Sequence, residues 1–198
     1  DMGDGQFNIP PSLLVSTPGI GKTFFLDSLA KAVGVNYDMI SMEAVSAGFV
    51  LVGLTSQYKD SAPGLIFKSV FESEYANNIL ILDEIDKVTK GNFPVGNVLL
   101  PLLEEHTSKR FKDEHVPIPM DISKLVWVAT ANDLTKISAP ILSRYQVFNI
   151  PSPNYRERMV LADAIYKTLI EKNKWGTKFE ISLSDEVKQV ICEDGNSS

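Results

Sequence analysis

The segment Ser16-Thr17-Pro18-Gly19-Ile20-Gly21-Lys22-Thr23 follows a short apolar run and opens a stretch of helical period. Small residues there let consecutive backbone N–H groups wrap a polyphosphate, and a helix N-terminus behind them adds its own positive field. In this phosphate-loop pattern Thr17, Pro18, Gly19, Ile20 and Gly21 form the cradle. Lys22 reaches the β- and γ-phosphates, and the Thr23 hydroxyl binds Mg²⁺. One position departs: Ser16 stands where the pattern has its first glycine. A second segment, Ile79-Leu80-Ile81-Leu82-Asp83-Glu84, is an apolar strand pattern ending in two acids. It places carboxylates at the carboxyl edge of a parallel sheet, where ligands of α/β proteins sit. Alone, such acids are better read as caps of a following helix. Downstream of a phosphate loop, Asp83 reads as the residue that holds Mg²⁺ through water, and Glu84 as the base for an attacking water. A third strand pattern, Leu125–Ala129, runs into Thr130-Ala131-Asn132-Asp133. From a strand beside the acidic one, Asn132 can reach a γ-phosphate and the attacking water; standing alone it is a turn asparagine. Arg144, just after Ala139-Pro140-Ile141-Leu142-Ser143, is by itself a solvated charge at the rim of a core. The phosphate loop and the acid pair together point to hydrolysis of a nucleoside triphosphate.

These groups need a scaffold that brings strand ends together. Short apolar runs bounded by turn residues predict strands at Ser12–Val15, Tyr37–Ile40, Ile79–Leu82, Leu125–Ala129 and Val147–Ile150. Helices are predicted between them at Lys22–Val33, Leu65–Ser73, Val98–Glu105 and Ala139–Ser143. Strands alternating with helices at this spacing predict a parallel α/β sheet covered on both faces. The runs Leu13-Leu14-Val15, Ile79–Leu82 and Leu125–Val128 are apolar on both faces and belong at its centre. After Pro151 and Pro153 the pattern changes to a long amphipathic helix, Tyr155–Lys172, and a second one, Ser184–Cys192, capped by Ser184. The expected organisation is a lead-in over residues 1–9, an α/β nucleotide-binding core over 10–150, and a partial helical lid over 151–198. The chain reads as part of a longer protein.

Composition narrows the classes. Of 198 residues, 44% are apolar and 22% charged, as in ordinary folded domains. No apolar run approaches the ~20 residues a membrane helix needs, so no membrane partner and a cytoplasmic location are expected. One cysteine, Cys192, excludes an intramolecular disulfide and a cysteine zinc cluster, and on an apolar helical face it reads as a small core residue. With 19 basic against 25 acidic side chains and a net charge of −6, nucleic acid is a poor partner. His106 and His115 lack further ligands at metal spacing and read as surface or turn residues.

The order of Pro18-Gly19-Ile20-Gly21-Lys22-Thr23, Leu82-Asp83-Glu84-Ile85-Asp86-Lys87, Ala129-Thr130-Ala131-Asn132 and Ala139–Arg144 resembles AAA+ ATPases. Within them it is most similar to the ATPase module of Lon-type proteases. Tyr58-Lys59-Asp60-Ser61-Ala62-Pro63-Gly64 looks like the Lon segment that carries a substrate-gripping aromatic. Phe111-Lys112-Asp113-Glu114-His115 looks like the Lon hairpin that leads into the sensor strand. The resemblance implies a P-loop NTPase three-layer sandwich with a central parallel sheet, followed by a helical lid. It places Lys22 and Thr23 in Walker A, Asp83 and Glu84 in Walker B, and Asn132 at sensor 1. It makes Arg144 the arginine finger that reaches a neighbouring subunit's site, and Tyr58, with Lys59, part of a substrate pore loop. Lys59-Asp60 is more charged than the apolar-Gly pair usual after the pore aromatic, and no residue matches the sensor 2 arginine.

The implied activity is an Mg²⁺-dependent ATPase, with ATP and Mg²⁺ bound, working as a homo-oligomeric ring, a hexamer, that remodels or unfolds protein substrates. The Ser-Lys peptidase dyad of Lon lies in a separate downstream domain, and nothing after Pro151 has room for one. Two alternatives share the core: a nucleotide-switched assembly module with slow hydrolysis, and a DNA-handling AAA+ ATPase. Lys22, Glu84, Asn132 and Arg144 favour turnover over a switch, and the acidic balance with the Tyr58 segment argues against DNA.

Overall fold

The computed structural model describes residues 9–88, 94–176, 178–180 and 182–194. The lead-in expected over residues 1–9 lies, apart from Ile9, outside the described residues. The chain divides into two compact units, Asp1–Ile150 and Pro151–Ser198.

In the first unit the elements run β1 (Ser12–Val15), α1 (Lys22–Val33), β2 (Tyr37–Ser41), α2 (Phe49–Val52), α3 (Leu65–Glu72) and β3 (Ile79–Asp83). There follow α4 (Val95–Leu102), α5 (Glu105–Ser108), a two-stranded hairpin of β4 (Phe111–Lys112) and β5 (Pro119–Met120), β6 (Val126–Ala131), α6 (Ala139–Leu142) and β7 (Gln146–Asn149). Five strands form one parallel sheet in the order β2-β3-β6-β1-β7. The three strands predicted for the centre are the three central ones. Their alternation supplies both faces. Leu13, Leu80, Leu82, Trp127 and Ala129 point into one core with Ile66 of α3 and Leu99 of α4. Leu14, Ile79, Ile81, Val126 and Val128 point into the other with Leu26 and Ala30 of α1. This is the expected α/β sandwich around a central parallel sheet.

Among the elements whose bounds differ from the sequence expectation, α4 and β6 do so for identifiable physical reasons. The helix expected at Val98–Glu105 is α4, Val95–Leu102. Pro94, at φ −64, fixes the backbone at the N-cap, so the helix starts a turn earlier. Pro101 offers no N–H and the helix closes one residue later; Glu105 then begins the separate turn of α5. The strand expected to end at Ala129 continues to Ala131, because β1 pairs with it as far as Val15 opposite Ala131.

The loop between α2 and α3 is tied at its base. Leu54 N donates to Ala62 O at 3.1 Å and closes the loop on itself. Below it, the buried Asp113 carboxylate accepts from Gly64 N at 2.8 Å with one oxygen, and from His115 N and Val116 N at 2.9 and 3.0 Å with the other. Glu114 N adds a bond to Val52 O at 2.8 Å, so the hairpin connection and the loop base form one hydrogen-bonded block. Gly64 is required by close approach: a Cβ there would lie 2.2 Å from Leu51 O and 2.4 Å from Gly53 N.

The second unit pairs α7 (Tyr155–Asn173) with α8 (Asp185–Asp194). A full capping box opens α7, with Asn154 Oδ1 accepting from Glu157 N and Glu157 Oε2 accepting from Asn154 N. Ser184 Oγ accepts from Val187 N, as its capping role predicts, and Lys188 bridges to Asp163 at 2.7 Å. Cys192 is buried. No helix among the described residues is long and apolar enough to cross a membrane.

Buried Asp113 leads to the first testable expectation. Asp113→Ala leaves three N–H groups without their acceptor, at a cost of about 3 kcal/mol of unfolding free energy. Urea denaturation checks it; an unchanged midpoint would mean that the loop base is held by other contacts.

Candidate nucleotide site

Register decides which strand ends meet. Leu82 pairs with Ala129, so Asp83 emerges beside Thr130. Val15 pairs with Ala131, so Ser16 emerges beside Asn132, and Ser16 N donates to Ala131 O at 3.3 Å. Three crossover connections thereby deliver a loop, an acid pair and an amide to one edge of the sheet.

The loop after β1 turns twice through left-handed backbone, at Gly19 (φ 82) and Gly21 (φ 86), which glycine adopts without a Cβ clash. Gly21 is the N-cap of α1, so Lys22 and Thr23 begin the helix. Thr17, Pro18 and Gly19 are exposed, whereas Lys22 is buried.

The Lys22 ammonium donates to Asn132 Oδ1 at 2.7 Å, to Ser16 Oγ at 2.8 Å, and more weakly to Ser16 O and Thr17 O at 3.3 and 3.4 Å. Burial holds its pKa below the ordinary lysine range, while the charges of Asp83, Asp86 and Glu84 pull the other way. Asn132 spans the site: its carboxamide oxygen accepts from Lys22 and its nitrogen donates to Glu84 Oε1 at 3.3 Å. The Thr23 hydroxyl lies 3.3 Å from both carboxylate oxygens of Asp83. Lys22, Thr23, Asp83, Glu84 and Asn132, singled out separately in the sequence, therefore form one connected cluster.

Two further residues hold that cluster, and the sequence reading gave them no role. Thr130, fully buried, donates to Asp83 Oδ1 at 2.6 Å and accepts from Glu84 N at 2.8 Å. One hydroxyl thus fixes the acid that ends β3 and the backbone of the acid after it. Glu84 sits at φ 56, a left-handed conformation that costs a non-glycine residue ~1–3 kcal/mol, and the Thr130 bond helps to hold it there. Asp86, also buried, accepts from Asn132 N at 3.3 Å and from Asp133 N at 3.2 Å, anchoring the turn after β6. The available signal was the position of Thr130 directly across the strand pair from Asp83, which only the register reveals.

The remaining candidates lie outside this cluster. Arg144 follows α6 and is half-buried. Its guanidinium is paired with Glu104 through Nη2 and through Nε at 3.1 Å, and Nη1 donates to Pro140 O at 2.8 Å. Tyr58, 61% exposed, and Lys59 lie in the loop between α2 and α3, above the base tied by Asp113. Tyr58 borders a largely apolar groove formed with Phe49, Val52, Leu54 and Val98. His115, read as a surface or turn residue, has Nδ1 3.2 Å from Leu54 O.

Thr130→Val keeps the shape of the side chain and removes both of its hydrogen bonds. The expected outcome is a loss of about 1–3 kcal/mol in stability, read by chemical denaturation, because the half-buried Asp83 carboxylate loses its shortest bond and the Glu84 N–H loses its acceptor. A variant as stable as the parent would show that water replaces the hydroxyl.

Residues 12–151 match the family model described as "ATPase family associated with various cellular activities (AAA)". Among curated proteins the chain is 32% identical over 184 residues to a Lon protease of Fusobacterium nucleatum, covering 91% of this chain and 24% of that protein. It is 31% identical over 187 residues to a Lon protease 2 of Borreliella burgdorferi, covering 93% and 23%. To a peroxisomal Lon protease homolog 2 of Pichia angusta it is 31% identical over 156 residues, covering 77% and 17%. The chain spans about a quarter or less of the length of these relatives. With the sheet order, the phosphate loop and the matched residues in agreement, the chain belongs to the AAA ATPase family, and its similarity within that family is to Lon proteases.

Proposed function

We propose that this chain is the Mg²⁺-dependent ATP-hydrolysing module of a ring-forming, Lon-like machine that acts on protein substrates. The observation that carries the reading is the connected cluster of Lys22, Asn132 and Glu84 beside the Thr23–Asp83 contact. The donor set suits a hard cation: Thr23 and Asp83 offer only oxygens, and Mg²⁺ is commonly held by one or two such groups together with water and substrate phosphates. Thr23 and Asp83 would hold the ion, which when bound neutralises charge developing on the phosphates. The backbone of Thr17 to Gly21 binds the phosphates, and Lys22 leaves its acceptors to bond their oxygens. Asn132 orients an attacking water against the γ-phosphate, and Glu84 accepts its proton.

Arg144 supplies the charge for a neighbouring subunit's site. Its pairing with Glu104 keeps the guanidinium at the rim rather than swinging free in solvent. Head-to-tail contacts of this kind close into rings, and a hexamer is the state proposed. Tyr58 and Lys59, on an exposed loop hydrogen-bonded at its base, would contact an extended polypeptide. The similarity to Lon proteases favours protein substrates over the alternatives of a slow nucleotide switch and a DNA-handling motor.

Two outcomes test this in the full-length protein. Glu84→Gln keeps nucleotide binding but lowers ATP hydrolysis by ~10²–10⁴, the usual cost of removing a general base. Steady-state phosphate release at the parent rate would remove Glu84 from this role. Mixing Glu84→Gln with Arg144→Ala, each defective alone, restores part of the hydrolysis, because some interfaces then carry both intact halves. A co-assembled mixture without recovery would place Arg144 outside the neighbour's site.

A further inference from the structure

The residue that departs from the phosphate-loop pattern is also one that holds the loop's lysine. Ser16 is buried, and its hydroxyl is committed on both sides: it donates to Thr17 O at 2.9 Å and accepts from Lys22 Nζ at 2.8 Å. With its own donor engaged in the loop backbone, the hydroxyl presents a fixed lone pair to the ammonium. A glycine offers only the Ser16 carbonyl, whose contact to Lys22 is longer at 3.3 Å.

An ammonium has three protons. Two of them go to short bonds, with Ser16 Oγ and Asn132 Oδ1, and the third is left to the longer carbonyl contacts. Binding oxygens of two phosphates takes at least two protons. One of the short bonds must break, and a second acceptor must be surrendered or shared. Burial adds weight to the choice, since a lysine removed from water needs an acceptor for each proton.

We propose that Ser16 is a positioning residue whose hydroxyl tethers Lys22 and competes with phosphate oxygens for its ammonium, and so weakens ATP binding relative to a loop without the hydroxyl. The proposal rests on the reading of this loop as a phosphate site. It goes beyond it by giving the atypical serine a role, that of a competitor for the ammonium. Ser16 has no positive φ, so alanine fits its backbone without strain, and threonine keeps the hydroxyl.

The test uses the nucleotide-free full-length protein, its Ser16→Ala and its Ser16→Thr variants. Limited acetylation with acetic anhydride, read by mass spectrometry at Lys22 against exposed Lys109 as internal reference, reports the tether without any nucleotide. Ser16→Ala is expected to acetylate faster at Lys22 with Lys109 unchanged, and Ser16→Thr to behave as the parent. Calorimetric titration with Mg·ATP is expected to give ~2- to 10-fold tighter binding for Ser16→Ala, the range of one net hydrogen bond, and parent affinity for Ser16→Thr. Unchanged Lys22 labelling in Ser16→Ala overturns the tether. Faster labelling with equal or weaker ATP binding overturns its opposition to nucleotide. A parent protein that fails to bind Mg·ATP refutes the phosphate reading itself, and the labelling arm still reports on the tether.

Discussion

A buried positive charge organises this protein. Lys22 has been taken largely out of water, and such a cation persists only where acceptors and negative charge surround it. The fold answers from three strand ends: Ser16 after β1, Asp83 and Glu84 at β3, Asn132 after β6. Each depends on parallel pairing in one register. A slip of one residue between β3 and β6 would turn Asp83 away from Thr130 and move the apolar set of the strand from one core to the other. Stability of the sheet and assembly of the site are therefore the same requirement seen at two scales.

The carboxylates around Lys22 would repel one another if left mobile, and the structure restrains each through a different partner. Asp83 is held by the hydroxyls of Thr130 and Thr23, Glu84 by its own backbone bond to Thr130 and by the Asn132 amide, Asp86 by two backbone N–H groups of the following turn. No acid of the three shares its principal anchor atom with the lysine. Such an arrangement leaves the ammonium able to change partners without releasing the acids, as the proposed phosphate-binding role of Lys22 would require.

Much of this was legible in the sequence, and the reasons differ by element. The three central strands announce themselves because both their faces are buried, so they are largely apolar; the edge strand β7 is exposed along its length and shows in the sequence only as the short apolar run Val147–Ile150, shifted by one residue from its bounds. The loop, the acid pair and Asn132 were readable because their chemistry demands particular residue types in a particular order. Thr130 was not, since a threonine between two alanines after an apolar strand looks like the start of a turn, and its value comes from a neighbour 47 residues away. Asp113 was hidden for a similar reason: flanked by Lys112 and Glu114, it reads as one charge of a solvated run, yet it is buried. Glu104 was hidden by Glu105 beside it. Long-range hydrogen bonds leave no periodic trace, and boundary residues of α4 depended on prolines whose effect is local but whose position relative to the helix is set by packing.

The closed base of the Tyr58 loop has an architectural consequence. Leu54 and Ala62 already meet, so the seven residues between them can vary in composition, and within limits in length, with only a small change in the entropy of closing the loop. The scaffold below is insulated from the tip. A protein built this way can acquire a new exposed surface by exchanging a short interchangeable cassette, while Gly53, Gly64 and Asp113 stay fixed as the socket that receives it.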